Sequence, residues 1–170
     1  MTLVTNGRLI TRDPEGRGYY ERGAVAYEGT KIVEVGEEAV LKARYPQAEI
    51  IDAKGGVIMP ALINAHTHLP MTLMRGYGGG HDLQHWLNDY IFPREDRLDG
   101  RCVRAATTLA VAECLKFGVT SVSDMYYFCD DIIAEVVKSG ISANIARGAT
   151  VFTEDFFPEA YPACAETRQL

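Results

Sequence analysis

The chain has little of what marks a nucleic-acid-binding, membrane-spanning or secreted protein. It holds 17 Lys and Arg against 23 Asp and Glu, a net charge of -6, and its basic residues are scattered, so no basic surface for nucleic acid is indicated. The longest apolar segment, residues 55–65, is shorter than the ~20 residues that cross a bilayer. The N-terminus lacks the apolar core of a signal peptide. We therefore expect a cytoplasmic protein without nucleic-acid or membrane partners.

Cysteine and histidine are also scarce. No CxxC pair occurs, which argues against a zinc knuckle or a redox dithiol. The cysteines are expected to be small buried hydrophobic residues: Cys102, Cys114, Cys129 and Cys164. Of only four histidines, His66 and His68 lie one residue apart at the end of an apolar run, "MPALINAHTHLP". This concentration of a rare residue needs an explanation.

What the chain does contain is typical of a soluble globular protein. Hydrophobic residues make up 47% and charged residues 24% of its 170 residues, which is too hydrophobic for a disordered segment. Residues 1 to about 55 predict short strands: a hairpin at Asn6-Gly7, a second hairpin around Glu28-Gly29-Thr30, a short helix over 37–45 and a turn at Gly55-Gly56. This part is expected to be a small β domain.

After Gly56 the pattern changes to alternating strands and helices. Residues 57–66 are apolar on both faces, as in a buried parallel strand. The helix predicted over 100–117 is amphipathic and ends at Gly118, and the one over 129–139 ends at Gly140. Strands are predicted over 119–128 and 141–152. This order indicates βαβ units with a parallel sheet, so we divide the chain into residues 1–56 and 57–170.

The two neighbouring histidines predict a metal site. Side chains alternate along a strand, so His66 and His68 point to one side. They lie at the carboxyl end of their strand, where parallel α/β barrels place their chemistry, and imidazole suits zinc and similar metals. An isolated HxH is more often a hydrogen-bonded loop feature. An apolar strand, however, should not end in two polar rings that lack partners.

The segment "MPALINAHTHLPMTLMRG" also resembles the first barrel strand of the amidohydrolase superfamily. It is most similar to the deaminases of S-adenosylhomocysteine and 5′-methylthioadenosine. The similarity continues through "HWLNDYIFPREDRL", "VTSVSDMYYF" and "SGISANIARG" and covers most of residues 50–148. It implies an α/β fold: the N-terminal part of a metal-dependent TIM-barrel hydrolase, about three βα units, with a small β-sandwich subdomain.

The resemblance also implies a cofactor and a reaction. One divalent metal, zinc or alternatively iron, would be bound partly by His66 and His68. It would lower the pKa of its bound water to ~7, so that hydroxide attacks C6 of an adenosine derivative and ammonia leaves. The substrate would be the small nucleoside S-adenosylhomocysteine or 5′-methylthioadenosine, and the product its inosine analogue.

Three substrate-binding residues follow from the same resemblance. Glu95 would accept hydrogen bonds from the ribose hydroxyls, Arg147 would bind the carboxylate of S-adenosylhomocysteine, and Trp86 would form part of the pocket wall. Taken alone, Glu95 is more often a solvated helix charge and Arg147 more often a structural ion pair, while core packing suits Trp86 about as well as a pocket wall. Asp124 is expected to be a hydrogen-bonding residue at the barrel mouth and not a ligand.

The segment "RGYGGGHDLQHW" is glycine-rich but lacks the GK[ST] ending of a phosphate-binding loop. We expect a flexible segment beside the site. His81 and His85 do not form an HExxH motif, and they predict a polar helix start capped near Asp82.

Much of such a site is missing from these residues. A TIM barrel takes ~250 residues, whereas 114 run from Val57 to Leu170, and no histidine follows His85. The family also uses two later histidines, a glutamate and an aspartate, so no catalytic acid or base is assigned within this chain. We interpret the chain as the N-terminal part of a deaminase, inactive alone and completed by a missing C-terminal part or a second chain, with homo-oligomers also open. The alternatives are another amidohydrolase, acting on guanine, cytosine or a triazine, and a non-catalytic fragment.

Overall fold

A computed structural model describes residues 1–149 and 161–169, apart from the side chains of residues 166 and 167. The chain divides into two compact units, Met1–Pro60 and Ala61–Leu170. This boundary lies four residues beyond the division after residue 56 that the sequence suggested. No helix among the described residues is long and apolar enough to cross a membrane.

The first unit is one five-stranded sheet with a short helix. Three antiparallel strands are followed by α1 and by two short strands that pair in parallel with β1, in the order β3-β2-β1-β4, with β5 also on β1. The elements are β1 Thr2–Ile10, β2 Tyr19–Glu28, β3 Lys31–Glu37, α1 Glu38–Arg44, β4 Glu49–Asp52 and β5 Val57–Ile58. Leu41 of α1 packs with Leu3, Ala24 and Ala26 in the core.

The second predicted hairpin is confirmed, and the first is wrong. Gly29, with φ of +57°, turns β2 into β3. Asn6-Gly7, in contrast, lies inside a continuous β1. Asn6 has a positive φ of 56° and its N–H donates to Glu38 Oε2 at 3.2 Å, while a Cβ on Gly7 would lie 2.8 Å from Ile58. The pair therefore forms a bulge, at which the register with β2 shifts.

The second unit has the predicted alternation of strands and helices. Its parallel sheet has the order β6-β7-β8. The elements are β6 Leu62–Thr67, a 3₁₀ helix Leu69–Met74, α2 Leu83–His85, a π-helix Trp86–Ile91, α3 Phe92–Glu95, α4 Gly100–Lys116, β7 Val119–Tyr126, α5 Cys129–Ser139, β8 Ser142–Arg147 and α6 Pro162–Gln169. A buried cluster joins α4 and α5 to β7, including Val103, Val111, Val122, Ile132 and Val136.

Both long helices agree with their prediction. The helix α4 is amphipathic as predicted, and its buried residues lie on one face: Val103, Ala106, Thr107, Ala110 and Val111. Gly118 and Gly140 follow α4 and α5 with φ of +77° and +74°, a conformation that glycine adopts without strain.

The single buried strand predicted over residues 57–66 is wrong. Pro60 has no N–H for a sheet ladder, and the segment splits into β5, which pairs with β1, and β6, which pairs with β7. Ile63 on β6 is 73% exposed, so this strand is not buried on both faces.

Some predictions fall at or beyond the limit of the description. The strand predicted over 141–152 is shorter at both ends, and its residues 150–152 lie outside the described residues, as do residues 153–160. The four cysteines, all of which lie in the described part of the chain, form no disulfide, and only Cys129 is buried. Cys102 and Cys114 lie in the first and last turns of α4, where the helix face is half-covered.

Candidate metal centre

The two predicted metal ligands are brought together at the carboxyl end of β6. The Nε2 atoms of His66 and His68 lie 3.3 Å apart, and the two rings meet edge to face. Thr67 between them turns to the other side, where its hydroxyl donates to Asp124 Oδ1 at 2.8 Å. The period-two alternation inferred from the sequence therefore applies at this strand end.

The orientation of His68 is set by the neighbouring strand. Its Nδ1 lies 2.7 Å from the carbonyl oxygen of Met125. A carbonyl only accepts hydrogen bonds, so Nδ1 carries the proton and Nε2 presents a lone pair toward His66. Metal-binding histidines commonly donate their other ring N–H to a backbone carbonyl in this way.

The spacing of the two nitrogens fits a shared metal ion. With Zn–N bonds of about 2.0–2.1 Å and tetrahedral angles, two ligand nitrogens lie about 3.3–3.4 Å apart. The observed separation is 3.3 Å. A hydrogen bond from His66 to His68 would give a similar distance, so the distance alone does not identify a metal site. The type of ligand favours a metal, because two imidazoles supply half of a tetrahedral zinc shell. No group of three or more His, Cys, Asp or Glu able to hold an ion occurs within the residues described.

A buried carboxylate holds the chain on both sides of His68. Asp124 is 2% exposed, and its Oδ1 accepts from the Leu69 N–H at 2.7 Å and from the Thr67 hydroxyl. Burial raises the pKa of this carboxyl, while the two hydrogen bonds act in the opposite direction. Its Oδ2 is buried without a hydrogen-bond partner among the described residues. Asp124 is thus a hydrogen-bonding residue, as expected.

Glu95 reaches the same end of the sheet through a residue that the sequence did not single out. Glu95 ends α3, and its Oε1 accepts from the Tyr126 hydroxyl at 2.6 Å. The Tyr126 ring is buried, and its centroid lies 6.3 Å from that of His68. A signal was available in the sequence, since Tyr126 follows Asp124 by two residues and shares its face of β7.

Arg147 ends β8 at the same carboxyl edge, directly across from Tyr126. Its guanidinium lies 4.3 Å from the ring centroid of Tyr127, and its Nη1 donates to the Gly148 carbonyl at 2.8 Å. The ring and the carbonyl therefore set the direction of this half-buried cation.

Trp86 is placed differently from the other candidates. It begins the π-helix, and its Nε1 donates to the Tyr77 carbonyl at 3.1 Å. This hydrogen bond joins Trp86 to the glycine-rich segment and not to the imidazole pair.

The glycine-rich segment itself is packed by aromatic contacts. The Tyr77 hydroxyl accepts from Nε and Nη2 of Arg94 at 3.1 and 2.9 Å, and His81 stacks on Tyr90 with ring centroids 4.6 Å apart. Gly78 has φ of +69°, and a Cβ there would lie 2.8 Å from Tyr90. These contacts restrict the flexibility expected of the segment.

The structure confirms the capping role expected near Asp82. Its Oδ1 accepts from the backbone N–H of Gln84 and of His85 at 3.0 and 3.2 Å, and its Oδ2 lies 2.5 Å from His85 Nδ1. This carboxylate is the N-cap of α2. Hydrogen bonds from His85 hold the pKa of Asp82 below its usual range.

Comparison with known protein families finds two matching models. The family model described as "Amidohydrolase family" matches residues 57–167, and a model described as "Imidazolonepropionase-like composite domain, bacteria" matches residues 23–48. A 5′-deoxyadenosine deaminase of Methanosarcina mazei is 38% identical over 146 residues, which cover 86% of this chain and 33% of that protein. The chain spans about a third of the length of the curated relatives it matches.

Two solved structures share the fold. An atrazine chlorohydrolase from Arthrobacter aurescens complexed with zinc superposes with a TM-score of 0.76 at 26% identity, over 91% of this chain and 37% of that one. An adenosine deaminase from Xanthomonas campestris with bound zinc has a TM-score of 0.69 at 32% identity, over 84% and 32%. The predicted fold class, the first strands and helices of a TIM-barrel hydrolase, is confirmed. The chain belongs to the amidohydrolase family.

Proposed function

We propose that the protein carrying this chain is a metal-dependent hydrolase that converts an adenosine derivative to its inosine analogue and ammonia. The observation that carries the proposal is the 3.3 Å separation of the His66 and His68 Nε2 atoms at the carboxyl end of β6. The family match supports the hydrolase, and the 5′-deoxyadenosine deaminases among its relatives support an adenosine-type substrate.

A divalent metal, zinc or alternatively iron, would lower the pKa of bound water to ~7 and so supply hydroxide at neutral pH. The residues of this chain prepare the site. Met125 fixes the tautomer of His68, and Asp124 holds the backbone on both sides of it. We assign no general acid or base to the described residues, and the remaining metal ligands would come from outside them.

Substrate recognition is proposed for three residues. Glu95 would accept hydrogen bonds from the ribose hydroxyls, since a carboxylate suits two neighbouring donors. Arg147 would bind the carboxylate of S-adenosylhomocysteine, a group that 5′-methylthioadenosine lacks. Trp86 would line the pocket wall from the side of the glycine-rich segment. The partner is therefore a small nucleoside.

A second candidate is an amidohydrolase that acts on a ring without a sugar. The resemblance to the zinc-bound atrazine chlorohydrolase favours it. The position of Glu95 favours the nucleoside, because its carboxylate is hydrogen-bonded to Tyr126, whose ring centroid lies 6.3 Å from that of His68. A non-catalytic fragment would bind no metal tightly and turn over neither substrate.

The test is a metal and activity measurement on the complete native protein. We expect stoichiometric zinc or iron and release of ammonia from adenosine derivatives. His66→Ala and His68→Ala should each abolish both, because a two-imidazole contribution to one ion cannot survive the loss of half its donors. His81→Ala, outside the pair, is the matched control and should keep the metal. Full metal content in the His66, His68 double variant would contradict the proposal, and turnover of triazine or guanine alone would favour the second candidate.

A further inference from the structure

A buried phenol holds the carboxylate to which we assign sugar recognition. Tyr126 is the last residue of β7, is 4% exposed and belongs to the same buried cluster as Val122 and Ile132. Its hydroxyl donates to Glu95 Oε1 at 2.6 Å, across 31 positions of the sequence. Because the ring is packed in the core, the hydroxyl is a fixed point and the carboxylate adapts to it.

The contact has a fixed direction. A phenol hydroxyl can donate and an ionised carboxylate only accepts, so the Tyr126 hydroxyl is the donor to Glu95 Oε1. Glu95 therefore accepts. Within residues 1–149 and 161–169, Tyr126 is the only hydrogen-bond partner of the Glu95 side chain. A carboxylate offers about four acceptor positions, so most of its capacity is left for a ligand.

Glu95 needs this support because it is the last residue of its helix. The helix α2, the π-helix and α3 follow one another without a break from Leu83 to Glu95, and helix ends fray. The side chain is half-buried, so packing alone does not fix it. The hydrogen bond to a core residue supplies the restraint that the helix lacks.

The same tyrosine also neighbours the imidazole pair. Its ring centroid lies 6.3 Å from that of His68. One residue thus contacts the sugar-binding candidate through its hydroxyl and flanks a metal-binding candidate with its ring. Tyr126 therefore links Glu95 to the candidate metal ligand His68.

We propose that Tyr126 is a positioning residue that aims the Glu95 carboxylate at the ribose hydroxyls of a nucleoside bound at the imidazole pair. The buried phenol therefore determines, together with Glu95, the preference for a ribonucleoside over a nucleoside without sugar hydroxyls. This inference rests on the proposed function. It adds a specificity-determining residue that does not itself contact substrate.

The experiment compares Tyr126→Phe with the unchanged complete protein. The binding probes are inosine and 2′,3′-dideoxyinosine, which undergo no deamination, and the substrates are adenosine and 2′,3′-dideoxyadenosine. We expect the variant to bind inosine about 10-fold more weakly and to raise KM for adenosine similarly, with kcat within about twofold. Binding and KM of both dideoxy compounds should stay unchanged, as should metal content.

Two further variants make the result specific. Tyr45→Phe removes another tyrosine hydroxyl that donates to a carboxylate, Glu34 Oε2 at 2.9 Å, in the first unit, and should leave both probes unaffected. Glu95→Ala should abolish the ribose preference, and adding Tyr126→Phe to it should cause no further loss, because the two residues act as one unit.

Each outcome is decisive. Equal weakening of both probes, an unchanged ribose preference in Tyr126→Phe, or additive losses with Glu95→Ala would overturn the inference. If the unchanged protein prefers inosine through Tyr126 but deaminates nothing, the inference stands and the proposed function fails. If it binds neither probe, both fail.

Discussion

Among the described residues each unit buries one carboxylate, and the surroundings of the two carboxylates are opposite in character. Glu38 in the first unit is 6% exposed and is bonded by Lys42 and by the Asn6 N–H, with Arg22 3.9 Å away. Asp124 in the second unit is 2% exposed, receives two uncharged donors, and leaves Oδ2 without a partner in the described part of the chain. One is a neutralised structural charge, and the other lies beside the candidate metal ligands.

The pKa values show the same contrast. The hydrogen bond from Lys42 holds the pKa of Glu38 below its usual range despite burial, whereas burial raises the pKa of Asp124. A buried carboxylate without a cation is costly. Around Asp124 part of that cost is offset by two hydrogen bonds to Oδ1, which hold both neighbours of His68.

The largest effect expected from this comparison is on metal binding. Asp124→Ala should weaken metal affinity about 10- to 100-fold, as loss of an outer-shell partner does, because Thr67 and Leu69 would no longer hold His68 from both sides. Asp124→Asn keeps one acceptor oxygen and should lose less. The measurement is a competition titration with a chelator on the complete protein.

Asp131→Ala is the matched control for that titration, since this carboxylate pairs with Arg104 away from the imidazoles. It should bind metal as the unchanged protein does. Unchanged affinity in Asp124→Ala, together with lowered stability, would mean that the carboxylate only supports the fold.

The corresponding change in the first unit should lower the stability of the protein without changing its metal affinity. Glu38→Gln should lower the free energy of unfolding by about 1–2 kcal/mol near pH 7, because a buried charged hydrogen bond is lost. Metal affinity should stay unchanged. Glu21→Gln, on an exposed residue 3.7 Å from Arg8, is the control and should change stability by less than about 0.5 kcal/mol.

The pH dependence of this effect has a defined sign. Since the folded pKa of Glu38 lies below its ordinary value of 4.5, the unfolded chain binds more protons between the two values. The stabilisation is full above about pH 4.5 and declines as the pH falls through the folded pKa. Denaturant unfolding at pH 6 and pH 3 should therefore show the difference between Glu38→Gln and the unchanged protein shrinking at pH 3. An equal difference at both pH values would contradict the role assigned to the charge.

The sequence predicts well those structural features that depend on residues close together in the chain. The hairpin at Gly29 and the two helices that end at Gly118 and Gly140 depend on nearby residues, and they are found as expected. The pairing of His66 with His68 is also local, since it depends only on strand alternation.

What the sequence does not predict depends on distant partners. Asn6-Gly7 has the composition of a hairpin turn, but Glu38 and Ile58 make it a bulge. Tyr126 and Glu95 are 31 positions apart in the sequence, and no local sequence pattern predicts their hydrogen bond. The sequence therefore predicts which residues are candidate ligands, but it does not predict which residues hold those ligands in position.

The two units also differ in how their helices begin. In the second unit, Asp99 caps α4 by accepting from the Cys102 N–H at 2.7 Å, whereas Glu37 before α1 makes no side-chain cap bond. Asp99→Ala should destabilise the protein by about 1 kcal/mol, and Glu37→Ala by less than half of that. Since α4 packs on β7 and carries no site residue, metal affinity should remain unchanged in both variants. Unfolding midpoints measured alongside chelator titrations check this, and equal losses of stability would mean that the cap bond contributes nothing beyond surface charge.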